Sequence, residues 1–226
     1  ALADAVFCAS SFTRKSLELY PEPLSAPIHV VPYGAPKFSD LFSSAQKSAQ
    51  SAGGPLQLLF VGSLGQRKGL SYLFQTINLL GSAVELTVVG KRPGNECSAL
   101  ESELPKHRYY ESLPHLEILS LMDQADLLLF PSLFEGFGLV LLEAMSRSTP
   151  CITTAHTAGP DIIDHEKDGF IVPIRDAPGM ASIIEKLHQD RDSLRMIQEA
   201  ASAKAEQLTW RRYQQQMVDA LAAYLA

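Results

Sequence analysis

Two glutamates, Glu135 and Glu143, stand seven residues apart in the stretch FPSLFEGFGLVLLEAM, with Gly136 and Gly138 between them. Carboxylates can hold hydroxyl groups, and glycines let backbone amides approach a ligand without a side chain in the way. A helix starting near Gly138 points its positive end at the same place, which suits a phosphate oxygen or a hydroxyl. Glu143 then lies almost two turns into that helix, amid Leu141, Leu142 and Met145. An acid there is costly unless it has a partner, and ribose hydroxyls are suitable ones. Glu135, on the loop, faces whatever group is carried beyond the phosphates. The plainer alternative is one capping carboxylate and one solvent-facing helix residue.

A second stretch, GSLGQRKG at residues 62–69, leaves an apolar run through Gly62 and Ser63, crosses Gly65 and delivers Arg67 and Lys68 at a helix start. Backbone amides there carry about half a positive charge and Lys68 supplies a full one, so this end suits a phosphate. It is not a Walker loop, having no Gly-Lys-Ser/Thr, nor the dinucleotide fingerprint G-x-G-x-x-G. The alternative is a turn with two solvated cations.

The elements that position these loops follow from periodicity. ADAVFCAS reads as a strand, SFTRKSLELY as a helix capped by Ser10 or Ser11, and IHVVPYG as a second strand. Residues 36–55, small, polar and ending in Gly-Gly-Pro, read as a boundary with a linker at 41–55. Strands then alternate with helices: LQLLFVG, a helix from about Gly69 to Leu80, VELTVVG, a helix near Glu96 to Leu104, HRYYES, HLEILSLMDQ, DLLLFPS, GLVLLEAMSR, CITT. GFIVP adds a sixth strand, and APGMASIIEKLHQD, DSLRMIQEAASAKAEQL and TWRRYQQQMVDALAAYL three helices, the last capped by Thr209. The fold class is therefore α/β, a Rossmann-like doubly wound parallel sheet covered on both faces. Counted from Leu56, the loops richest in glycine and charge follow the first and fourth strands. In the order 3-2-1-4-5-6 those strands are neighbours where the winding reverses, and ligands bind outside their carboxyl ends.

Composition narrows the classes. At 226 residues, 46% hydrophobic and 19% charged, the chain is globular, and no apolar run approaches the roughly 18 residues of a membrane span. A formal charge of −6 argues against a nucleic-acid surface. Cys8, Cys97 and Cys151 are odd in number, lack C-x-x-C spacing and read as reduced buried thiols, which places the chain in the cytoplasm, either free or peripheral at the inner membrane face. It begins with Ala, so an upstream segment is expected to precede it.

The remaining charged and aromatic residues have mostly plain readings. Asp190-Arg191-Asp192 spells D-x-D but lies between two expected helices, far in sequence from the site loops. The six histidines show no ligand spacing, so no metal is expected. His115, at a helix start after the third strand, is only a candidate to border a nucleotide base. Lys91 and Arg92 read as its solvated rim, and Trp210 as a packing anchor.

FVGSLGQRKGLSYL, LTVVGKRPG and ADLLLFPSLFEGFGLVLLEAMSRSTPCITTAHTAGPDIIDHEKDGFIVP together resemble the nucleotide-sugar-binding half of the retaining glycosyltransferases of family 4, of GT-B fold. The resemblance covers roughly residues 56–175, and Glu135 to Glu143 is similar to that family's E-x7-E motif. It implies a metal-independent hexosyltransferase that uses a UDP-sugar or GDP-sugar and an acceptor that is a glycan, a lipid or a small molecule. Residues 1–40 would be the tail of an acceptor domain with its hinge, 56–208 the donor domain, and 209–226 a helix crossing back. By the same resemblance Lys68 and Glu135 are catalytic, Lys68 on the diphosphate and Glu135 on the sugar, and Glu143 binds ribose. Gly62, Ser63, Arg67, Gly136, Phe137, Gly138 and Leu139 complete the donor site. The chain departs from the family at Ser63, where Arg is frequent, at Ala158-Gly159, where a Gly pair is usual, and at Ser148, where a helix-ending Gly is common. A non-catalytic nucleotide-sugar-binding or regulatory module is the alternative of another class, and a GT-B epimerase or phosphorylase a third.

Overall fold

The computed structural model describes residues 3–22, 24–36, 53–94 and 97–225. Most of the expected linker at 41–55, and Glu96, lie outside them.

The chain opens with strand β1 (Val6–Cys8), helix α1 (Ser11–Glu18) and strand β2 (Ile28–Val30), and β1 and β2 pair in parallel. Ser10 caps α1, its Oγ accepting the Thr13 N–H. The main sheet contains β3 (Leu56–Val61), β4 (Val84–Val89), β5 (Arg108–Tyr110), β6 (Leu127–Phe130), β7 (Cys151–Thr154) and β8 (Phe170–Val172). Its order is β5-β4-β3-β6-β7-β8, with every pairing parallel. Counted from β3 this is the order 3-2-1-4-5-6, so the winding reverses between β3 and β6 as the alternation implied.

The strands are near-continuous apolar runs because both faces are covered. Leu58 and Phe60 of β3 and Leu127 and Leu129 of β6 point to the face packed by α2 (Leu70–Leu80) and α7 (Ala177–Gln189). Leu59, Leu128 and Phe130 point to the other, against α4 (His115–Gln124), α5 (Leu139–Ser146) and α8 (Arg191–Gln207). Each of these fully buried Leu and Phe side chains contributes roughly 1.5–3 kcal/mol.

Helix α3 (Ser98–Glu103) precedes β5, and a short α6 (Gly159–Ile162) follows β7. The four-residue α6 has no periodicity to announce it and begins with Gly-Pro. Asp176 caps α7, and Asp190 caps α8, accepting from the Ser193 N–H and Oγ–H. The D-x-D is thus occupied locally, since Asp192 pairs with Arg195. Thr209 caps α9 (Trp210–Leu225), accepting the Arg212 N–H at 3.0 Å. This last helix returns to the opening segment: Trp210 stacks on Tyr33 at 5.9 Å, and His29 Nε2 lies 2.6 Å from the Tyr224 hydroxyl. Among the described residues no helix is long and apolar enough to cross a membrane. Of the three cysteines expected to be buried only Cys151 is, within β7; Cys8 is half-buried and Cys97, just ahead of α3, is exposed.

Candidate functional site

The loops after β3 and β6 meet at the switch point. Gln66–Lys68 form one 3-10 turn, and Gly69 follows at φ +71°. A Cβ on Gly69 would lie 2.0 Å from the Pro131 carbonyl oxygen, so only glycine lets the two loops close on each other. The Leu133 N–H donates to the Arg67 carbonyl at 2.8 Å and fastens them.

That closure brings together the charges singled out in the sequence. Glu135 Oε2 accepts from Arg67 Nη1 at 2.7 Å and pairs with Lys68 Nζ. Lys68 is only 8% exposed, and its ammonium also sits 4.6 Å from the Phe130 ring centroid. Arg67 Nη1 further donates to the Phe134 carbonyl at 3.2 Å. Burial pushes the Glu135 carboxyl up, but the hydrogen bonds and charges of Lys68 and then Arg67 outweigh it, leaving the pKa below the ordinary value. The reading of Arg67 and Lys68 as two solvated cations is therefore corrected: Lys68 is buried, and both are bound to one carboxylate. Two cations and one carboxylate leave this cluster itself with a net positive charge.

Glu143 corrects a second expectation. Leu141, Leu142, Ala144 and Met145 around it are fully buried, yet Glu143 is on the half-exposed side of α5. Its Oε1 lies 3.2 Å from His115 Nε2 at the start of α4. It needs no ribose to be tolerated there, since solvent and an imidazole already serve it. His115 is the neighbour that the sequence position of Glu143 gave no means of pairing.

The glycine loop between the two glutamates is held from both sides. Gly138 adopts φ +90°, and a Cβ there would meet the Phe130 ring at 2.8 Å, so the left-handed cap of α5 requires glycine. Gly136 faces open space, with nothing within 4 Å of an added Cβ. Phe137 turns its ring into the core, 4.9 Å from that of Tyr33, and its carbonyl accepts the Ala158 N–H at 3.0 Å. Its backbone, not its side chain, is what the loop presents. Leu139 is 47% exposed on the first turn of α5. Gly62 and the exposed Ser63 lie in the loop after β3, where the Leu64 N–H donates to the Lys91 carbonyl at 2.9 Å. Arg92 lies over the Tyr109 ring at 5.1 Å, a rim residue as expected.

Sequence reasoning missed two further contributors. His156 accepts the Glu135 N–H on its carbonyl at 2.8 Å, and its Nδ1 lies 2.8 Å from the Leu133 carbonyl oxygen. The Ser132 hydroxyl, at the carboxyl end of β6, is buried without a partner among the described residues. Neither position carries a spacing signal, because both act through loops that meet only in the folded sheet. The Asp161 carboxylate, in the segment where the usual glycine pair is altered, turns to α1 and accepts from the Ser11 N–H at 2.8 Å and its hydroxyl at 3.1 Å. Burial raises its pKa against those bonds.

Comparisons with known proteins bear on the family and the fold. Residues 43–204 match the family described as glycosyl transferases group 1. The amylovoran biosynthesis glycosyltransferase AmsK of Erwinia amylovora is 29% identical over 167 residues, which cover 67% of this chain and 40% of that protein. Glycogen synthase of Mycobacterium tuberculosis is 30% identical over 165 residues, 69% of this chain and 39% of that one. The crystal structure of Anabaena HepE in complex with UDP superposes with a TM-score of 0.80 at 20% identity, covering 98% of this chain and 64% of that chain. The chain spans about two fifths of the length of the curated relatives it matches.

Proposed function

Because the chain belongs to the group 1 glycosyl transferases, whose GT-B fold its parallel sheet shares, we propose that it is the donor-binding part of a retaining, metal-independent hexosyltransferase of family 4. The donor is a nucleoside-diphosphate sugar, with UDP or GDP as its nucleotide. The acceptor, a glycan, lipid or small molecule, approaches from an N-terminal domain of which β1, α1 and β2 are the last elements, and α9 is the helix that crosses back to it.

The observation that carries this reading is the convergence of Arg67, Lys68 and Glu135 at the switch point, next to the glycine loop of Gly136 and Gly138. A departing diphosphate accumulates negative charge, which Lys68, Arg67 and the two helix starts are placed to hold. Glu135, released from the cations by the phosphates, then turns to the hydroxyls of the transferred sugar. Glu143 takes the ribose hydroxyls in place of the His115 contact. The amides of Gly136, Phe137 and Gly138 line the sugar and phosphates.

Calorimetric titration of UDP and of GDP into this chain, with a chelator present, tests the reading together with the Glu143→Gln variant. Saturable binding of one nucleotide, weakened about tenfold by the loss of a charged acceptor for ribose, is the expected result. If neither nucleotide binds, or if binding requires a divalent cation, the donor site or its metal independence is wrong.

A further inference from the structure

The carbonyl of Gly136 hydrogen-bonds into the opening segment of the chain, beside the ring contact of Phe137 with Tyr33. Ser10 Oγ donates to it at 2.6 Å and Thr13 Oγ1 at 3.0 Å, across 126 and 123 residues of sequence. Ser10 is fully buried and keeps its capping bond from the Thr13 N–H at the same time, so its single hydroxyl hydrogen is free for the carbonyl. The next turn is held as well. Asp161 caps the same end of α1 through Ser11, and the Phe12 ring stacks on that of His156 at 4.8 Å and 18°.

The consequence lies in peptide geometry. There are no cis peptide bonds here, so the Phe137 N–H points opposite to the Gly136 carbonyl, away from α1. The next peptide is fixed in the same fashion, the Ala158 N–H holding the Phe137 carbonyl and leaving the Gly138 N–H opposed to it. Neither the Phe137 nor the Gly138 amide has an acceptor among the described residues. Adjacent amides left without internal acceptors form a concavity suited to an anion. Without the two hydroxyls, no hydrogen bond among the described residues holds the Gly136 carbonyl, and Gly136, with open space around it, supplies no steric restraint on the tilt of its peptide with Phe137.

We infer that Ser10 and Thr13 are positioning residues of the donor site, whose hydroxyls fix the Gly136–Phe137 peptide so that the Phe137 amide serves the β-phosphate and sugar of the donor. The inference rests on the donor reading above and adds to it the means by which a helix outside the main sheet sets the geometry of the glycine loop. The two hydroxyls do not touch the donor themselves. Their effect is confined to what lies beyond the first phosphate, because Glu143 and the loop after β3 are untouched by α1.

The test compares this chain with Ser10→Ala/Thr13→Val, titrating UDP and GDP and, as comparators, UMP and GMP. Losing two hydrogen bonds that orient one amide weakens binding of the diphosphate that the parent chain prefers by about tenfold. The corresponding monophosphate binds as before, and Ser10→Thr retains full diphosphate affinity because it keeps both cap and donor. Equal weakening of monophosphate and diphosphate marks a merely structural role for the pair and overturns the inference, as does unchanged diphosphate binding. If the parent chain binds neither UDP nor GDP, it is the donor reading that has failed. The clamp is then judged by the 1H–15N resonance of the Phe137 amide, which moves in the double variant if the hydroxyls orient that peptide and stays in place if they do not.

Discussion

Glu135 in the ligand-free chain occupies the cations that the diphosphate is proposed to use, so Glu135→Gln and Lys68→Ala should shift nucleotide affinity in opposite directions. The ion pair joins side chains that are 11% exposed at Lys68 and 17% exposed at Glu135, between the surface and the interior in character. Exposed pairs couple by up to about 1 kcal/mol, and fully desolvated ones by several. A coupling on the order of 1–2 kcal/mol therefore has to be given up before phosphate can take Lys68. Removing the carboxylate's charge removes that cost, and UDP or GDP should bind about 5- to 30-fold tighter to Glu135→Gln. Lys68→Ala deletes a charge-assisted hydrogen bond of about 1.5–3 kcal/mol and leaves Glu135 facing the phosphates, so affinity should fall by at least about tenfold. On the proposed function, both variants should lower transfer in the full-length enzyme, Lys68→Ala by roughly a hundredfold.

Calorimetry on the two variants at one salt concentration reads both signs, with thermal melting to confirm that each is folded. Weaker nucleotide binding in Glu135→Gln would refute the competition, because it would make Glu135 a contact for the nucleotide or a support for its loop. Unchanged binding in Lys68→Ala would refute the assignment of the diphosphate to this corner.

Two further expectations concern stability. Ser148 ends α5 at φ +54°, where a side chain costs about 1–2 kcal/mol and glycine costs little. Allowing for glycine's greater freedom in the unfolded chain, Ser148→Gly should gain about 0.5–1 kcal/mol and raise Tm by roughly 2 °C; a lower Tm would mean that the serine's own contacts outweigh the strain. His107 stacks on Phe74 at 5.5 Å and 2°, and burial pushes its pKa below the ordinary 6.5. The folded state resists the proton that the unfolded chain accepts, so the contribution of this ring to stability is full above pH 6.5 and is lost as pH falls below it. Urea unfolding between pH 7.5 and 5.5 should show that slope, and His107→Phe should flatten it.

Much of the fold was legible because strand and helix periods alternate without interruption from Leu56 onward, and both faces of the sheet are covered. Helix α4 runs over the ten residues of HLEILSLMDQ that the period marked, and the caps at Ser10 and Thr209 stand where serine and threonine precede apolar spacing. What stayed hidden were partners across long separations. His115 beside Glu143, Asp161 at the start of α1, and the two hydroxyls on Gly136 have no local signature, since none belongs to the element it serves. The short α6 was hidden for a different reason, having too few residues to express a period.

Lys68 marks the line between what sequence order can and cannot give. Read within its own loop it is one of two cations in a turn, and solvation is the cheapest state for such a charge. Yet the strand order already puts β3 beside β6, so loops 67 residues apart in sequence must share one rim, and a cation on the first lies within reach of a carboxylate on the second. Gly69 turns that nearness into contact, since any side chain there would hold the Pro131 carbonyl off. Once the loops close, Lys68 loses most of its water and the charge has to be matched by an anion. Glu135 supplies it in the ligand-free chain. A bound diphosphate would match it again, and for that reason the same burial that makes the ion pair necessary also makes the site ready to exchange one anion for another.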